Sequence, residues 1–184
     1  SNSGRVHGRD IIMGLTTVTG GGVFTSRNIS DINSNFAALL GGVNPGTIIY
    51  CQPSSANTQL PQDGTQSKPY TDLPTALSKA VGGRNDVIVL VGNGATSGSA
   101  RLSANLDWNK DAVHLIGVSS GVNISNRSRI APASGATAFA NFFTVSASGC
   151  QFQNIQWFQG FGTGTTSQIC LTVTGGRNLF ENCH

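Results

Sequence analysis

Two short segments of the chain are almost entirely apolar, and turn-forming residues bound them. Asp86-Val-Ile-Val-Leu-Val91 lies between Gly82-Gly83 and Gly92-Asn-Gly94, and Val113-His-Leu-Ile-Gly-Val118 follows it along the chain. Continuous apolar runs of this length are typical of strands covered on both faces, as in parallel sheets. We therefore predict two buried strands. Because no partner lies at metal-ligand spacing from His114, we interpret it as a structural histidine.

Near the end of the chain, a repeat is visible at an offset of 28 residues, where residues 144–156 align without a gap with residues 172–184. Its identical pairs are Thr144 with Thr172, Val145 with Val173, Phe152 with Phe180 and Asn154 with Asn182. Apolar residues also meet apolar ones, as in Phe143 with Leu171 and Ile155 with Cys183. This pattern predicts strands stacked at about 4.8 Å, with the two phenylalanines as an inward stack. The two asparagines form either an amide ladder or an ordinary solvated turn.

A helix is predicted before the first apolar run. The segment Pro69–Val81 carries apolar residues at positions 73, 76, 77, 80 and 81, which is a helical spacing. Thr71 or Asp72 can cap its start, and Gly82-Gly83 can end it. A stack of strands exposes a hydrophobic end, so we expect this helix to cover that end as a cap.

A second amphipathic helix is predicted over residues 29–40, with Ser30 as its N-cap and Gly41-Gly42 as its stop. Its apolar stripe consists of Ile29, Ile32, Phe36, Leu39 and Leu40. A helix of about three turns is marginal alone, so this stripe must pack against the stacked strands, against its copies in an oligomer, or against an attachment site. The glycine-rich residues before it suit an extended arm.

Several other segments are interpreted as loops or turns. Residues 125–137 contain the breakers Pro132 and Gly135, and the segment around Asp107-Trp108 is interpreted as a turn. Trp157, Phe158 and Phe161 cluster beside Gly160 and Gly162 in a predicted loop. These aromatic residues are either an inter-subunit contact or core filler, or a platform that stacks on sugars.

The low charge of the chain narrows its chemistry. Charged residues make up 10% of the sequence, against about 25% in an average protein, and the net charge is +3. Nucleic acid is therefore not an expected partner, and no apolar stretch is long enough for membrane insertion. The four cysteines lack metal-ligand spacing, so we predict reduced, mostly buried thiols, no metal site and no cofactor. No Asp or Glu lies between Asp111 and Glu181, so no catalytic residues are predicted within this chain.

The segments 46–50, 63–77, 86–91 and 113–117 together resemble the opening of pectate-lyase-like proteins: a strand, an acidic Gly-Thr loop, a capping helix and the first coils. The resemblance covers residues 46–184. It implies an all-β fold, a right-handed parallel β-helix or solenoid with an N-terminal capping helix. The chain stops inside the second copy of the repeat, so we expect it to be the N-terminal fragment of a longer polypeptide.

A separate resemblance involves Gly14-Leu-Thr-Thr-Val-Thr-Gly-Gly-Gly22 and the helix 29–40, which are similar to N-terminal segments of phage tail fibre and tailspike proteins. It implies an attachment and oligomerisation arm at 1–45 and a β-helix domain at 46–184. It further implies a structural virion component acting in host adsorption, located on the tail or head. The implied partners are its own copies in a homotrimer and other virion proteins. The alternative is a tailspike depolymerase that cleaves host surface polysaccharide, with its active site and glycan contacts beyond residue 184.

Overall fold

A computed structural model describes residues 46–53, 61–92, 98–118, 128–136, 139–160 and 169–184. All of them belong to the second of the two units into which the chain divides, Asn44–His184. The described residues are mostly in β-strands and contain one short helix, α1 (Leu73–Lys79). The strands are β1 (Ile48–Cys51), β2 (Val87–Leu90), β3 (Ala100–Leu102), β4 (Leu106–Trp108), β5 (His114–Gly117), β6 (Ser128–Pro132), β7 (Asn141–Val145), β8 (Gln151–Gln153), β9 (Ile155–Trp157), β10 (Ile169–Val173) and β11 (Leu179–Glu181).

These strands form three sheets in which every pair is parallel. Sheet A has the order β1-β2-β5-β8-β11, sheet B the order β3-β6-β9, and sheet C the order β4-β7-β10. The chain visits sheets A, B and C in turn and then returns to sheet A one strand further along. We call one such passage a layer: β2-β3-β4 is layer 2, β5-β6-β7 is layer 3 and β8-β9-β10 is layer 4, while β1 and β11 belong to layers 1 and 5.

The repeat found in the sequence coincides with strand pairing. Phe180 of β11 lies opposite Phe152 of β8, and Leu171 of β10 lies opposite Phe143 of β7. The rings of Phe152 and Phe180 are stacked, with centroids 4.9 Å apart and planes inclined by 8°. The two apolar runs form β2 and β5, as predicted. Residues aligned by the repeat are therefore neighbours across adjacent layers.

A column of apolar side chains runs along the inner face of sheet A. Successive registers place Ile49, Ile88, Leu115, Phe152 and Phe180 above one another. The first four are buried and belong to one hydrophobic core, which also draws residues from sheets B and C. The core therefore lies between the three sheets, and each layer covers the apolar face of the layer beside it.

Two segments interpreted from the sequence as irregular are strands. Residues 128–132 form β6, which pairs with β3 and β9, although residues 125–137 were predicted to be a loop. Pro132 is tolerated because its nitrogen faces β9, whose pairing with β6 ends at Ile130 and Trp157, so its missing N–H breaks no hydrogen bond of the ladder. The predicted turn around Trp108 is the strand β4, which pairs with β7. Trp108 is fully buried, and its indole nitrogen donates to the Val113 carbonyl at 3.0 Å.

Helix α1 packs beside β1 and β2, and its buried residues Leu73, Ala76 and Leu77 join the core. Asp72 caps its start, accepting a hydrogen bond from the Thr75 backbone nitrogen at 2.7 Å. The helix ends at Lys79, before the glycine pair that was expected to stop it.

The side chain of Lys110, which follows β4, donates hydrogen bonds to backbone carbonyls at the C-terminal end of α1. Its Nζ donates to the carbonyls of Leu77, Ser78 and Ala80 at 2.7, 2.8 and 2.5 Å. The last carbonyls of a helix lack intrahelical partners and carry partial negative charge, so an ammonium group is favourable there. Lys110 thereby ties the helix to the layer that it packs against.

The buried Asp86 carboxylate joins three backbone segments at the same end of sheet A. It accepts hydrogen bonds from the backbone nitrogens of Thr47 and Val81 at 2.7 and 2.8 Å, and Arg84 contacts both of its oxygens. Burial acts to raise the pKa of Asp86, but the Arg84 hydrogen bonds, with the two backbone donors, outweigh it and hold the pKa below its usual range. A side chain at Gly46 would collide with this carboxylate, so glycine is required there.

We predict that Phe152→Ala lowers the free energy of unfolding by about 3–5 kcal/mol, because removal of the ring leaves a cavity between Leu115 and Phe180 in the neighbouring layers. Phe158→Ala, at a ring that is 48% exposed, is the matched control and should cost less than about 1 kcal/mol. Urea denaturation followed by circular dichroism measures both. Equal losses for the two variants would contradict the inner column as the main source of stability.

We also predict that Asp86→Asn destabilises the protein by about 2–3 kcal/mol at neutral pH, since an amide cannot accept all of these hydrogen bonds. The depressed pKa means that the contribution of Asp86 is fully present above about pH 4 and is lost as pH falls through the folded-state pKa. Asp86→Asn should therefore reduce the loss of stability in acid. Glu181→Gln, at an exposed carboxylate, is the control and should retain the acid dependence of the natural protein.

Candidate functional site

Trp157, one of the three aromatic residues singled out in the sequence, contributes to the core. It ends strand β9, where a loop was predicted, and its ring centroid lies 5.7 Å from Phe143 and 6.0 Å from both Phe152 and Phe180. Its Nε1 is buried, and no residue in the described part of the chain forms a hydrogen bond with it. Of the two interpretations, core filler therefore describes Trp157, and its ring is not presented as a sugar platform.

Phe158 differs from Trp157 because it is on the outer side. Its side chain is 48% exposed, and the guanidinium carbon of Arg129 lies 5.1 Å from the ring centroid, a cation–π geometry. Gly160 approaches the same ring so closely that a side chain there would collide with it. Arg129 and Gly160 thus already contact the ring. Phe161 lies outside the described residues.

The asparagines of the repeat are hydrogen-bonded to one another. Asn182 Nδ2 donates to Asn154 Oδ1 at 2.6 Å, and Asn154 Nδ2 donates to the Gly117 carbonyl at 3.2 Å. Both asparagines have positive φ, 56° for Asn154 and 48° for Asn182, which asparagine tolerates better than most residues. Of the two alternatives from the sequence, the arrangement is an amide ladder at a turn.

The predicted attachment helix 29–40 lies outside the described residues. The same holds for its apolar stripe of Ile29, Ile32, Phe36, Leu39 and Leu40. The expectation that this stripe packs against an oligomer partner or an attachment site therefore stays a prediction.

Several carboxylates in the described part of the chain accept hydrogen bonds from residues that lie next to them in the fold. Asp63 accepts from the backbone and hydroxyl of Thr65, Asp111 from the Ser148 backbone, and Glu181 from the Gln153 side chain. Asp107 projects from the outer face of sheet C and accepts from the Ser146 hydroxyl at 2.7 Å. Within the described ranges, no group of three or more His, Cys, Asp or Glu side chains could hold a metal ion.

The four cysteines are free thiols. Cys51 and Cys150 are buried, while Cys170 and Cys183 are partly exposed, so the predicted burial holds for two of them. Burial is the largest cause that raises the pKa of each thiol above its usual value. The neutral thiol is therefore favoured over the nucleophilic thiolate.

His114 lies on the outer side of sheet A and is only 5% exposed. Its Nδ1 accepts a hydrogen bond from the Gln151 backbone nitrogen at 3.1 Å, which assigns the ring proton to Nε2. Nε2 is buried, and among the described residues it has no hydrogen-bond partner. Burial lowers the pKa of His114, so the ring is neutral. One ring nitrogen of His114 is therefore hydrogen-bonded and the other is not, so the fully satisfied structural histidine that the sequence predicted is shown in part.

A feature that the sequence did not predict is the pair of arginines on the outer face of sheet B. Arg101 of β3 lies opposite Ala131 of β6, and Arg129 precedes Ala131 by two residues on the same strand. Residues two apart on a strand point to the same face, so both arginines project outward on this face, and Arg129 lies beside Phe158. The alternation Arg129-Ile-Ala131 was the available signal, but it lay within a segment that was predicted to be a loop.

We predict that the free energy of unfolding decreases as pH falls through about 6.5. In the unfolded chain His114 then binds a proton, whereas in the folded protein its lowered pKa keeps the ring neutral. The loss continues down to the folded-state pKa. His114→Asn retains an acceptor near the Gln151 nitrogen but does not titrate, so it should flatten stability between pH 7 and pH 5. Thermal unfolding midpoints measure this, with the exposed His184→Asn as control. An unchanged pH profile in His114→Asn would refute the assignment.

The chain was compared with family models, with curated proteins and with solved structures, and none of the three comparisons finds a match. No helix among the described residues is long and apolar enough to cross a membrane. The geometry of the described sheets is therefore the basis for any functional conclusion. That geometry consists of a filled interior and three outer faces, of which sheet B carries the arginine pair.

Proposed function

We propose that this chain forms the attachment region and the stalk of a phage tail fibre or tailspike, built as a right-handed parallel β-helix. The observation that carries the proposal is the column of stacked apolar residues along sheet A, which continues through five layers. A structure in which each layer buries the face of its neighbour is rigid along its length and can extend by adding layers. These are the mechanical properties that a stalk requires.

The winding direction follows from a general rule. Parallel strands of one sheet that are joined by a crossover are connected in the right-handed sense in about 98% of cases. Sheets B and C supply the crossover between successive strands of sheet A. Together with the resemblance of residues 46–184 to pectate-lyase-like proteins, this favours a right-handed β-helix.

The disposition of acidic residues favours a stalk over a depolymerase. Glycoside hydrolysis usually needs two carboxylates that flank one bond at about 5 to 9.5 Å. Among the described carboxylates, Asp86 is buried with both oxygens occupied and Asp72 caps a helix. Asp107 and Glu181 project from different sheets, C and A. This arrangement supports the stalk over the depolymerase.

We predict that antibodies raised against the purified chain label the appendages of phage particles purified from the source of this sequence. Immunogold electron microscopy locates the label on the tail or head, and peptide mass spectrometry of the same particles identifies the chain independently. Particles treated with pre-immune serum are the control. Finding the chain free in the host cytoplasm and missing from particles would overturn the proposed function.

A further inference from the structure

Arg129 on the outer face of sheet B is held in one orientation by two neighbours. Its Nε donates to Gln156 Oε1 at 2.9 Å, and its guanidinium carbon lies 5.1 Å from the centroid of the Phe158 ring. Arg129 lies opposite Gln156 in the pairing of β6 with β9, and Gln156 is only 7% exposed. The group that positions Arg129 is therefore itself fixed. An arginine restrained in this way loses little further conformational entropy when it binds a ligand.

The terminal nitrogens of Arg129 are available for binding. Within the described residues, the guanidinium group forms its one hydrogen bond through Nε, so neither terminal nitrogen has a partner there. No strand of sheet B contains an acidic residue. The acidic residues that the structure describes lie on sheets A and C or in the segments that join strands of those two sheets. The two terminal N–H groups form a fork that matches the two oxygens of a carboxylate.

The Phe158 ring gives this fork an apolar neighbour. The ring is 48% exposed, although Arg129 and Gly160 contact it. Ala131, which shares a face with Arg129 because the two are two residues apart on one strand, is fully buried and adds no polar group. Arg101 lies opposite Ala131, but it donates to the Pro132 carbonyl at 2.8 Å and is not part of the site. The site therefore consists of one guanidinium fork and one apolar surface.

This pair of groups suits a carboxylate with an apolar neighbour better than it suits other anions. A phosphorylated side chain carries a charge of about −1.5 to −2 at pH 7, whereas Arg129 supplies a single positive charge. A sugar acid carries hydroxyl groups around its carboxylate, and these need polar partners where they are buried against the protein. Beside Arg129, however, the Gln156 oxygen already accepts from Nε, and Phe158 has no polar group in its side chain.

We propose that Arg129 and Phe158 form a binding site for the C-terminal carboxylate of a peptide whose last side chain is apolar. The carboxylate oxygens accept hydrogen bonds from the two terminal nitrogens of Arg129, and the last side chain packs on the exposed part of the Phe158 ring. In a peptide C-terminus both groups are attached to the same Cα, so one ligand residue reaches the fork and the ring together. Capture of a chain end is an established mode of peptide recognition. The site goes beyond the proposed stalk and does not depend on it.

The test titrates the whole chain with small probes and follows its NMR spectrum. The Nε–H of Arg129 is hydrogen-bonded to Gln156, so its signal reports on the site directly. N-acetylphenylalanine presents a carboxylate and an apolar side chain, and it should shift this signal with a dissociation constant of about 1–10 mM. Its amide has the same shape without the charge and should bind at least about 10-fold more weakly, because the charge-assisted hydrogen bonds are lost.

Three further probes define the ligand class. N-acetylglycine lacks the apolar side chain, phenylalanine as the free amino acid places an ammonium group beside the carboxylate, and glucuronate replaces the apolar group with hydroxyl groups. Each should bind at least about fivefold more weakly than N-acetylphenylalanine. Equal binding of the amide would show that the carboxylate is not recognised. Equal binding of glucuronate would reassign the site to acidic sugars, and equal binding of the amino acid would reassign it to small metabolites; each of these results overturns the inference.

Two substitutions test the residues themselves. Arg129→Lys keeps the positive charge but has no planar fork, so it should weaken binding of N-acetylphenylalanine at least about 10-fold. Phe158→Ala should lower the affinity for N-acetylphenylalanine to that for N-acetylglycine or below. Arg177→Lys makes the same change at an exposed arginine before β11 and should bind like the natural chain. Because the signal of Arg129 is absent from its own variant, backbone amide signals of β6 and β9 measure binding there, and thermal midpoints check that each variant is folded.

Unchanged affinity in Arg129→Lys, or no binding of N-acetylphenylalanine to the natural chain, overturns the site. Neither result removes the chain from a phage particle, which the antibody label tests separately. Conversely, binding that depends on Arg129 in a chain that is missing from particles retains the site and rejects the stalk.

Discussion

The structure depends on the parallel register between successive strands of sheet A. Ile88, Leu115 and Phe152 are covered because each lies directly opposite an apolar residue of the neighbouring strand. A shift of one residue would turn this inner column outward, since side chains alternate between the two faces of a strand. The register also determines the aromatic contacts between sheets A and C, where the Phe152 ring meets Trp108 with centroids 5.5 Å apart. Packing between the sheets thus follows from pairing within one of them.

The sequence predicted those parts of the fold in which residues repeat or run together. The 28-residue offset paired β8 with β11 and β7 with β10, and the two apolar runs identified β2 and β5. Strands β3, β4 and β6 were not predicted, because the number of residues between successive layers is not constant. Along sheet A, successive partners are 39, 27, 37 and 28 residues apart, so a search at one period finds one pair of layers. Strands of three residues, such as β3 and β4, are also too short to show an alternation.

The polar contacts that organise the β1 end of sheet A were not predictable for a different reason. Asp86 joins Thr47 and Val81, and Lys110 reaches carbonyls of α1 that lie about 30 residues earlier in the chain. Neither residue belongs to a local motif, because each acts through backbone groups brought together by the stack. The same reason explains Trp157: its sequence neighbours suggested a surface loop, whereas its ring contacts come from β7, β8 and β11.

Apolar side chains pack between the described sheets, and the low charge of the chain makes individual charges on the outer faces informative. On an ordinary protein surface, a single arginine without an ionic partner would mean little, because exposed pairs contribute about 0–1 kcal/mol. Arg129 differs because Gln156 and Phe158 already restrict its side chain. Stacking fixes the spacing between such residues along the chain axis.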